Sequence, residues 1–245
     1  MFDKSLNYPT AVASYDDEGI AQAILWCAER MEEGDTLSVW TPLKRSLGNC
    51  EALEELVSQY SGVEHIVGRG GTWVRSTGPV LMAWPDMDDI GELVRFGESR
   101  IRGLCVLAWD EDKIRPWVAQ MNPEILGDGT DWDSFTPELD PIVVEALKSL
   151  TKTVNHNNTI SVGWEKDQVV SVLLALRDAG IPMDGEAIQG WALTHGWSGR
   201  NPSLLAKFVE EIQAGKRPRC NKVLRPDYIS ILRQQVADAA SETES

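Results

Sequence analysis

Two clusters of carboxylates each follow an apolar run in the first half of the chain. Asp86 follows the run at residues 80–84, and Asp110 and Asp112 follow the run at 104–109; further acids lie beside each. Carboxylate oxygens are the ligands that hard divalent cations prefer, and such a cation supports chemistry on phosphate groups. One hypothesis is therefore a metal-dependent enzyme that acts on a phosphate-containing substrate, with Asp86, Asp110 and Asp112 as ligands of Mg²⁺.

A structural role for the same aspartates competes with this hypothesis. Aspartate is a preferred N-cap residue, and acids in the first turn of a helix interact favourably with the helix dipole. Both clusters precede segments with helical periodicity, so each is also explained as a helix start. A metal site requires the two clusters to follow neighbouring strands. If the aspartates have only the structural role, we expect the protein to bind no cofactor.

A basic segment in the second half of the chain suggests contact with nucleic acid. Residues 187–225 hold seven Lys and Arg residues against two Glu. A helix N-terminus favours phosphate, and clustered cations track a phosphate backbone. The residues predicted to bind nucleic acid are Arg200, Asn201, Lys207, Lys216, Arg217, Arg219, Lys222 and Arg225. The alternative is a basic connector in a helical bundle that neutralises the acidic first half of the same chain.

Other motifs give less support for catalysis. The turn at residues 68–72 is rich in glycine but lacks the lysine and spacing of a phosphate-binding loop, so we expect a hairpin turn with Arg69 and Arg75 as its only candidate anion contacts. The three histidines are far apart, and no nucleophile motif is present. We therefore favour a protein that is not an enzyme.

Tryptophans are numerous, at ten in 245 residues. Tryptophan is enriched at the energetic centres of protein interfaces. Trp132 and Trp164 fall in polar segments, and we expect both to be exposed and to bind a protein partner.

The elements that must position these residues alternate between strand and helix. Apolar runs at 37–40, 80–84 and 104–109 each end on a tryptophan, and a further short strand is expected at 63–67. Such continuous runs are typical of parallel strands buried on both faces. We predict a small three-layer α/β domain over residues 1–125, with a mostly parallel sheet of four to five strands. Ligands bind outside the carboxyl ends of such strands, where we expect the tryptophans and aspartates to meet.

The second half of the chain has a different pattern. An acidic loop is predicted at residues 126–139, then an all-helical domain at 140–240 with its basic segment at 200–225, and a disordered tail at 241–245. Three short helices between 166 and 215 could form a helix-turn-helix module. The connection before the third helix is longer than that motif normally has.

Charge and composition limit the classes of protein. The net charge is -15; residues 1–150 hold 12 Lys and Arg against 27 Asp and Glu, whereas residues 151–245 hold 11 of each. No apolar stretch approaches the roughly 20 residues of a membrane span, and the start lacks a signal-peptide pattern. Four scattered cysteines suggest free thiols. We expect a cytoplasmic protein that does not associate with membranes.

The leading hypothesis is a non-enzymatic binding or regulatory accessory protein. In it the acidic domain binds a protein partner, and the helical domain contacts nucleic acid or that same partner. The alternatives are the metal-dependent enzyme and an acidic inhibitor that mimics nucleic acid.

Overall fold

Parallel strands are formed by the apolar runs of the first half of the chain. The computed structural model describes residues 8–68, 74–97, 99–127, 132, 139–154, 158–197 and 199–243. The chain divides after residue 136 into two compact units.

The first unit alternates strands and helices. Its elements are β1 (Thr10–Ser14), α1 (Asp17–Ala28), β2 (Leu37–Thr41), a 3-10 helix (Lys44–Asn49), α2 (Glu51–Gln59), β3 (Val63–Val67), β4 (Gly78–Ala83), α3 (Met87–Gly97), β5 (Ile101–Ala108), a second 3-10 helix (Glu111–Lys113), α4 (Arg115–Met121) and β6 (Glu124–Leu126).

All neighbouring strands of the sheet are parallel. Across the described residues it has six strands in the order β3-β2-β4-β5-β1-β6. One row of the register joins Val39, Leu81, Cys105 and Ala11, which are all buried and belong to one core cluster with Ala23 of α1 and other residues of α1 and α2. The predicted α/β class with a parallel sheet is confirmed.

The chain reverses its direction across the sheet, which places helices on both faces. The connections that contain α1 and α2 run towards β3, whereas those that contain α3 and α4 run towards β6. Right-handed crossovers in opposite directions put their helices on opposite faces. Connections of neighbouring strands therefore diverge to opposite faces of the sheet at two places, after β2 and β4 and after β5 and β1.

Two strands were not predicted from the sequence. β1 has two alanines among its five residues, so its apolar run is weak, and β6 has three residues in a segment rich in turn formers. The pairing of Leu126 with Ala13 shows that the sheet extends into the first residue of the predicted loop. Val74 and Arg75, which follow the glycine-rich turn, adopt no strand.

Five helices make up the described part of the second unit, in agreement with the predicted helical region. They are α5 (Pro141–Thr153), α6 (Gly163–Asp178), α7 (Gly185–Thr194), α8 (Asn201–Gln213) and α9 (Tyr228–Thr243). Leu147, Leu173 and Val209 lie in their shared core. Six residues, 195–200, join α7 to α8, so the connection is longer than the short turn of a helix-turn-helix motif.

The last helix extends further than the composition suggested. α9 continues to Thr243, through residues 241–243 of the segment predicted to be disordered. Polar contacts support this turn, because Gln234 and Ser241 both donate hydrogen bonds to Asp238. Residues 244 and 245 lie outside the described residues. No helix in the described ranges is long and apolar enough to cross a membrane.

Gly19 permits the close approach of α1 to the end of β1. A Cβ atom at this position would lie 2.2 Å from the carbonyl oxygen of Ser14. We expect Gly19→Ala to lower the free energy of unfolding by about 1–3 kcal/mol through overpacking. Gly48→Ala is the control, since its Cβ would meet nothing within 4 Å. Urea denaturation measures both, and equal losses in the two variants would contradict this account.

Candidate functional site

The carboxyl ends of the strands lie along one edge of the sheet, as the sequence predicted for β2, β4 and β5. These three strands are adjacent and parallel. Trp40 is an exception to the predicted gathering of tryptophans, because it lies within β2 and is fully buried. The Trp40 ring packs against Gly68, and a Cβ atom added at Gly68 would lie 2.5 Å from Cζ2 of that ring. Only Trp84 and Trp109 of the three lie beyond their strands.

Three aromatic residues meet at this edge, and we call Tyr15, Trp84 and Trp109 the edge cluster. They follow β1, β4 and β5, so the cluster lies where the connections of β1 and β5 diverge. The ring centroids of Tyr15 and Trp109 are 5.0 Å apart, and the Trp84 ring is nearly perpendicular to both, at 5.4 Å from Tyr15 and 6.3 Å from Trp109. Trp109 is 64% exposed, which makes it the outer face of the cluster.

Trp84 is held in an unfavourable backbone conformation. Its φ is 58°, in the left-handed region that side chains other than glycine rarely adopt, and its amide donates to the Leu107 carbonyl at 2.9 Å. Its indole Nε1 is buried without a hydrogen-bond partner among the described residues. Strained backbone and unsatisfied polar groups concentrate at functional sites, which supports this edge as the candidate.

Tyr15 connects the cluster to the neighbouring helices. Its hydroxyl donates to the Asn49 carbonyl at 2.9 Å. Burial raises the pKa of this hydroxyl, and the charge of Cys50 acts in the same direction. Tyr15 therefore stays neutral near pH 7 and keeps its proton for the hydrogen bond. Sequence reasoning missed Tyr15 because it missed β1.

Asp16 occupies the N-terminus of α1. Its carboxylate accepts from the Gly19 amide at 2.7 Å and from the Ser14 hydroxyl at 2.6 Å. These two hydrogen bonds lower the pKa of Asp16, and the bond from the Gly19 amide has the larger effect. Asp16 is therefore ionised at neutral pH. Asp17 and Glu18 add further acids to the first turn. This helix N-terminus is consequently unsuited to a phosphate.

The acids after β4 form a reciprocal cap. The Asp86 amide donates to Asp89 at 3.1 Å, and the Asp89 amide donates to Asp86 at 2.9 Å. Burial raises the pKa of Asp89 to about 6; the charges of Asp86 and Asp88 act in the same direction, while the hydrogen bond from Asp86 opposes them. This geometry agrees with the alternative hypothesis from the sequence, in which the aspartates after β4 begin a helix.

The proposed metal ligands are not assembled. Asp110 pairs with Lys113 at 3.2 Å, Asp112 pairs with Arg115 at 3.0 Å, and Asp86 is engaged with Asp89. Within the described ranges no group of three or more His, Cys, Asp or Glu side chains could hold a metal ion. The magnesium site remains a prediction from the sequence that has no supporting geometry.

A hydroxyl–imidazole pair at the end of β2 has a structural role. The Thr41 hydroxyl donates to the Leu43 carbonyl at 2.9 Å, so it accepts from His65 Nε2 at 2.8 Å. Burial lowers the pKa of His65, and the nearby charge of Lys44 adds to this effect. Of the glycine-rich turn only Gly68 is described; residues 69–72 lie outside. Arg75, its other candidate anion contact, is exposed, and its carbonyl accepts a hydrogen bond from Arg100.

Most of the basic segment is paired within the second unit. Lys216 lies 3.6 Å from Glu211, Arg225 lies 2.7 Å from Asp227, and Arg217 forms an ion pair with Asp178. Lys222 donates to the buried Gln168 and lies 5.9 Å from the ring centroid of Trp164. Hydrogen bonds from Arg177 and Arg217 lower the pKa of Asp178.

The remaining residues that were predicted to bind nucleic acid lie in different environments. Arg200, Lys207 and Arg219 are exposed and form no ion pair with a described residue. Asn201 is only 4% exposed, and its amide donates to the Asn158 carbonyl at 2.9 Å and accepts from the Ile160 amide at 3.1 Å. The prediction that Asn201 contacts a phosphate has no support from this geometry, because its side chain is bonded to the segment before α6.

The two tryptophans predicted to bind a partner also differ. Trp132 is 8% exposed, so the expectation of an exposed side chain is wrong. Trp164 is 55% exposed and lies next to Lys222, and its role in partner binding stays a prediction. The exposure of Trp109 was not predicted, because Trp109 ends an apolar run, which is also typical of a core residue.

Comparison with known proteins identifies one related segment. Residues 139–233 match a family model described as a domain of unknown function (DUF1889). The match covers less than half of the chain and lies in the second unit, outside the edge cluster. Neither a curated protein nor a solved structure matches the chain.

The raised pKa of Asp89 predicts a pH dependence of stability. The folded protein holds this proton to about pH 6, whereas an aspartate in the unfolded chain releases it near pH 3.9. The folded state binds more protons between these values, so the contribution of Asp89 to the free energy of unfolding falls as the pH rises through them. Asp89→Asn keeps an acceptor for the Asp86 amide and cannot ionise. We expect it to lose this dependence and to be more stable than the native protein at pH 7.

Urea denaturation across this pH range measures the effect. Asp17→Asn is the control, because Asp17 is an exposed acid in the first turn of another helix, α1, and its charge does not act on Asp89. A native protein and an Asp89→Asn variant whose stabilities change in parallel with pH would contradict the prediction.

We expect Asn201 to contribute to the stability of the folded protein rather than to the binding of a ligand. Asn201→Ala leaves a buried amide and a carbonyl without their partners, which costs about 1–3 kcal/mol of the free energy of unfolding. The exposed Lys207→Ala change on the same helix should alter it by less than about 0.5 kcal/mol. Thermal and urea denaturation check both values, and equal effects would refute the structural role.

Proposed function

We propose that the protein is a non-enzymatic binding protein that binds a positively charged protein partner at the carboxyl edge of its first unit. The observation that carries the proposal is the edge cluster, with Trp109 64% exposed on a fixed aromatic base. In parallel α/β sheets this is the edge where ligands bind, at a place where neighbouring connections diverge. An exposed tryptophan held by its neighbours is typical of the energetic centre of an interface.

The charge of the edge supports a basic partner. Each residue of the edge cluster is followed by an aspartate at the next position or the one after: Asp16, Asp86 and Asp110. Acids also begin α2 and the second 3-10 helix. Complementary charge speeds association and excludes partners of the same sign. We also propose a cytoplasmic location, which the four free cysteines support.

The alternative hypotheses have less support. The N-terminus of α8 gives the nucleic-acid hypothesis little support, because Asn201 there is 4% exposed and hydrogen-bonded to Asn158 and Ile160. The enzyme hypothesis lacks an assembled set of metal ligands among the residues that the structure describes. An acidic mimic of nucleic acid would also bind a basic partner, but it would depend on charge spread over its surface rather than on one indole.

Site-specific photo-crosslinking tests the proposal. A benzoylphenylalanine at position 109 should capture a discrete protein in cells, whereas one at position 60 should not. Tyr60 is a matched control because it is 60% exposed and lies next to the opposite edge of the sheet, just before β3. The captured protein, once purified, should bind the native chain and lose about 30-fold or more in affinity for Trp109→Ala, the effect of a hot-spot residue.

The Tyr60→Ala variant should bind this purified protein as the native chain does. The proposal is refuted if position 109 captures no discrete protein, or if the captured protein binds the native and Trp109→Ala chains equally. Loss of binding in an Asp16→Asn, Asp110→Asn variant, with Trp109→Ala unaffected, would favour the mimic.

A further inference from the structure

We infer that the Trp109 indole recognises an arginine of the partner, whose guanidinium stacks on the exposed ring and pairs with a carboxylate of the same edge. This inference rests on the proposed function and adds the chemical identity of the group that is bound.

The Trp109 ring is prepared for stacking. Tyr15 supports it at 5.0 Å with an angle of 33° between the ring planes, and Trp84 abuts it at 89°. A ring held by two aromatic neighbours loses little conformational freedom when a ligand binds. Its exposed surface is apolar and carries the negative potential of the indole face, which attracts a cation.

The same unit already contains an arrangement of this kind. The Arg30 guanidinium carbon lies 3.6 Å from the Trp26 ring centroid, and one guanidinium nitrogen lies 3.3 Å from the Glu124 carboxylate. The Trp26 indole donates to that carboxylate at 2.6 Å. Tryptophan, arginine and carboxylate together thus form a stable set here. At the edge cluster the tryptophan and the carboxylates of such a set are present, and the partner would supply the arginine.

Carboxylates at the edge can pair with an incoming cation. Asp110 directly follows Trp109, and its ion pair with Lys113 is exposed on both sides, with side-chain exposures of 43% and 61%. Exposed pairs of this type contribute little to stability, so an arginine can replace Lys113 at small cost. An anion has no comparable place, because Asp16 caps the N-terminus of α1.

Arginine suits the site better than lysine does. A guanidinium is planar, stacks on an aromatic face and is more weakly hydrated than an ammonium group. It can stack and donate to a carboxylate at the same time. We therefore expect discrimination between the two cations, which charge alone would not give.

Calorimetric titration with three peptides tests the inference. Peptides of equal length, in which glycine alternates with arginine, lysine or citrulline, are titrated into the full chain at low ionic strength. The arginine peptide should bind about 2- to 5-fold more tightly than the lysine peptide, and the uncharged citrulline peptide much more weakly than either.

Variants separate stacking from charge. Trp109→Leu keeps an apolar side chain but removes the aromatic face, so it should abolish the preference for arginine, whereas Trp109→Phe should retain part of it. Asp110→Asn should weaken the binding of both cationic peptides and retain the part of the arginine preference that comes from stacking on Trp109. Tyr60→Leu, the exposed aromatic control, should change nothing.

The inference is overturned if the native chain binds the two cationic peptides equally or binds neither, or if Trp109→Leu keeps the preference for arginine. Such results would not decide the proposed function, because a partner can bind the edge through other groups. The crosslinking experiment tests that function separately. Conversely, failure to capture a partner at position 109 removes the proposed function even if the arginine peptide binds.

Discussion

The parallel pairing of β1 with β5 is the constraint on which the candidate site depends. The register places Ser14 opposite Ala108, so the chain leaves both strands at the same level, with Tyr15 beside Trp109. The amide of Trp84 bonds to Leu107, which ties the end of β4 to the same level. A slip of one residue in either pairing would reverse the faces of the side chains and separate the rings.

Trp84 and Asp89 carry unfavourable features at this edge, and a further buried indole without a described partner belongs to Trp117 of α4. Trp84 has a left-handed backbone and a buried indole without a partner, and Asp89 five residues later is desolvated. Backbone strain and an unsatisfied donor each cost of order 1–3 kcal/mol. The surrounding strands, with buried residues at every position of β2 and β4, supply the stability that maintains them. Such a conflict between local and global preference is expected where a surface has a task besides folding.

The sequence predicted what depends on apolar patterning and not what depends on tertiary neighbours. The continuous runs predicted β2, β4 and β5 and their parallel arrangement. Trp40 and Trp109 each end such a run, yet one is buried and the other exposed, because Gly68 leaves room for the Trp40 ring whereas Trp109 lies beyond the end of β5. β1 was missed because its alanines carry little signal; they are small because α1 packs close to them. Asn201 likewise resembled a phosphate ligand until its buried partners were located.

Charge pairing explains why the two units present different surfaces. In the second unit the cations of the basic segment have acids of their own unit within reach, such as Asp178 and Asp227, and the second half of the chain is neutral with 11 charges of each sign. In the first half, 27 acids face 12 cations. The acids at the carboxyl edge cap helices and hold a few exposed cations, and the excess of acids over cations leaves residues 1–150 with a negative net charge. In the proposed function a positively charged partner balances this charge and Trp109 makes the contact specific. The negative potential of the carboxylates attracts any cation, whereas a fixed indole also selects for shape.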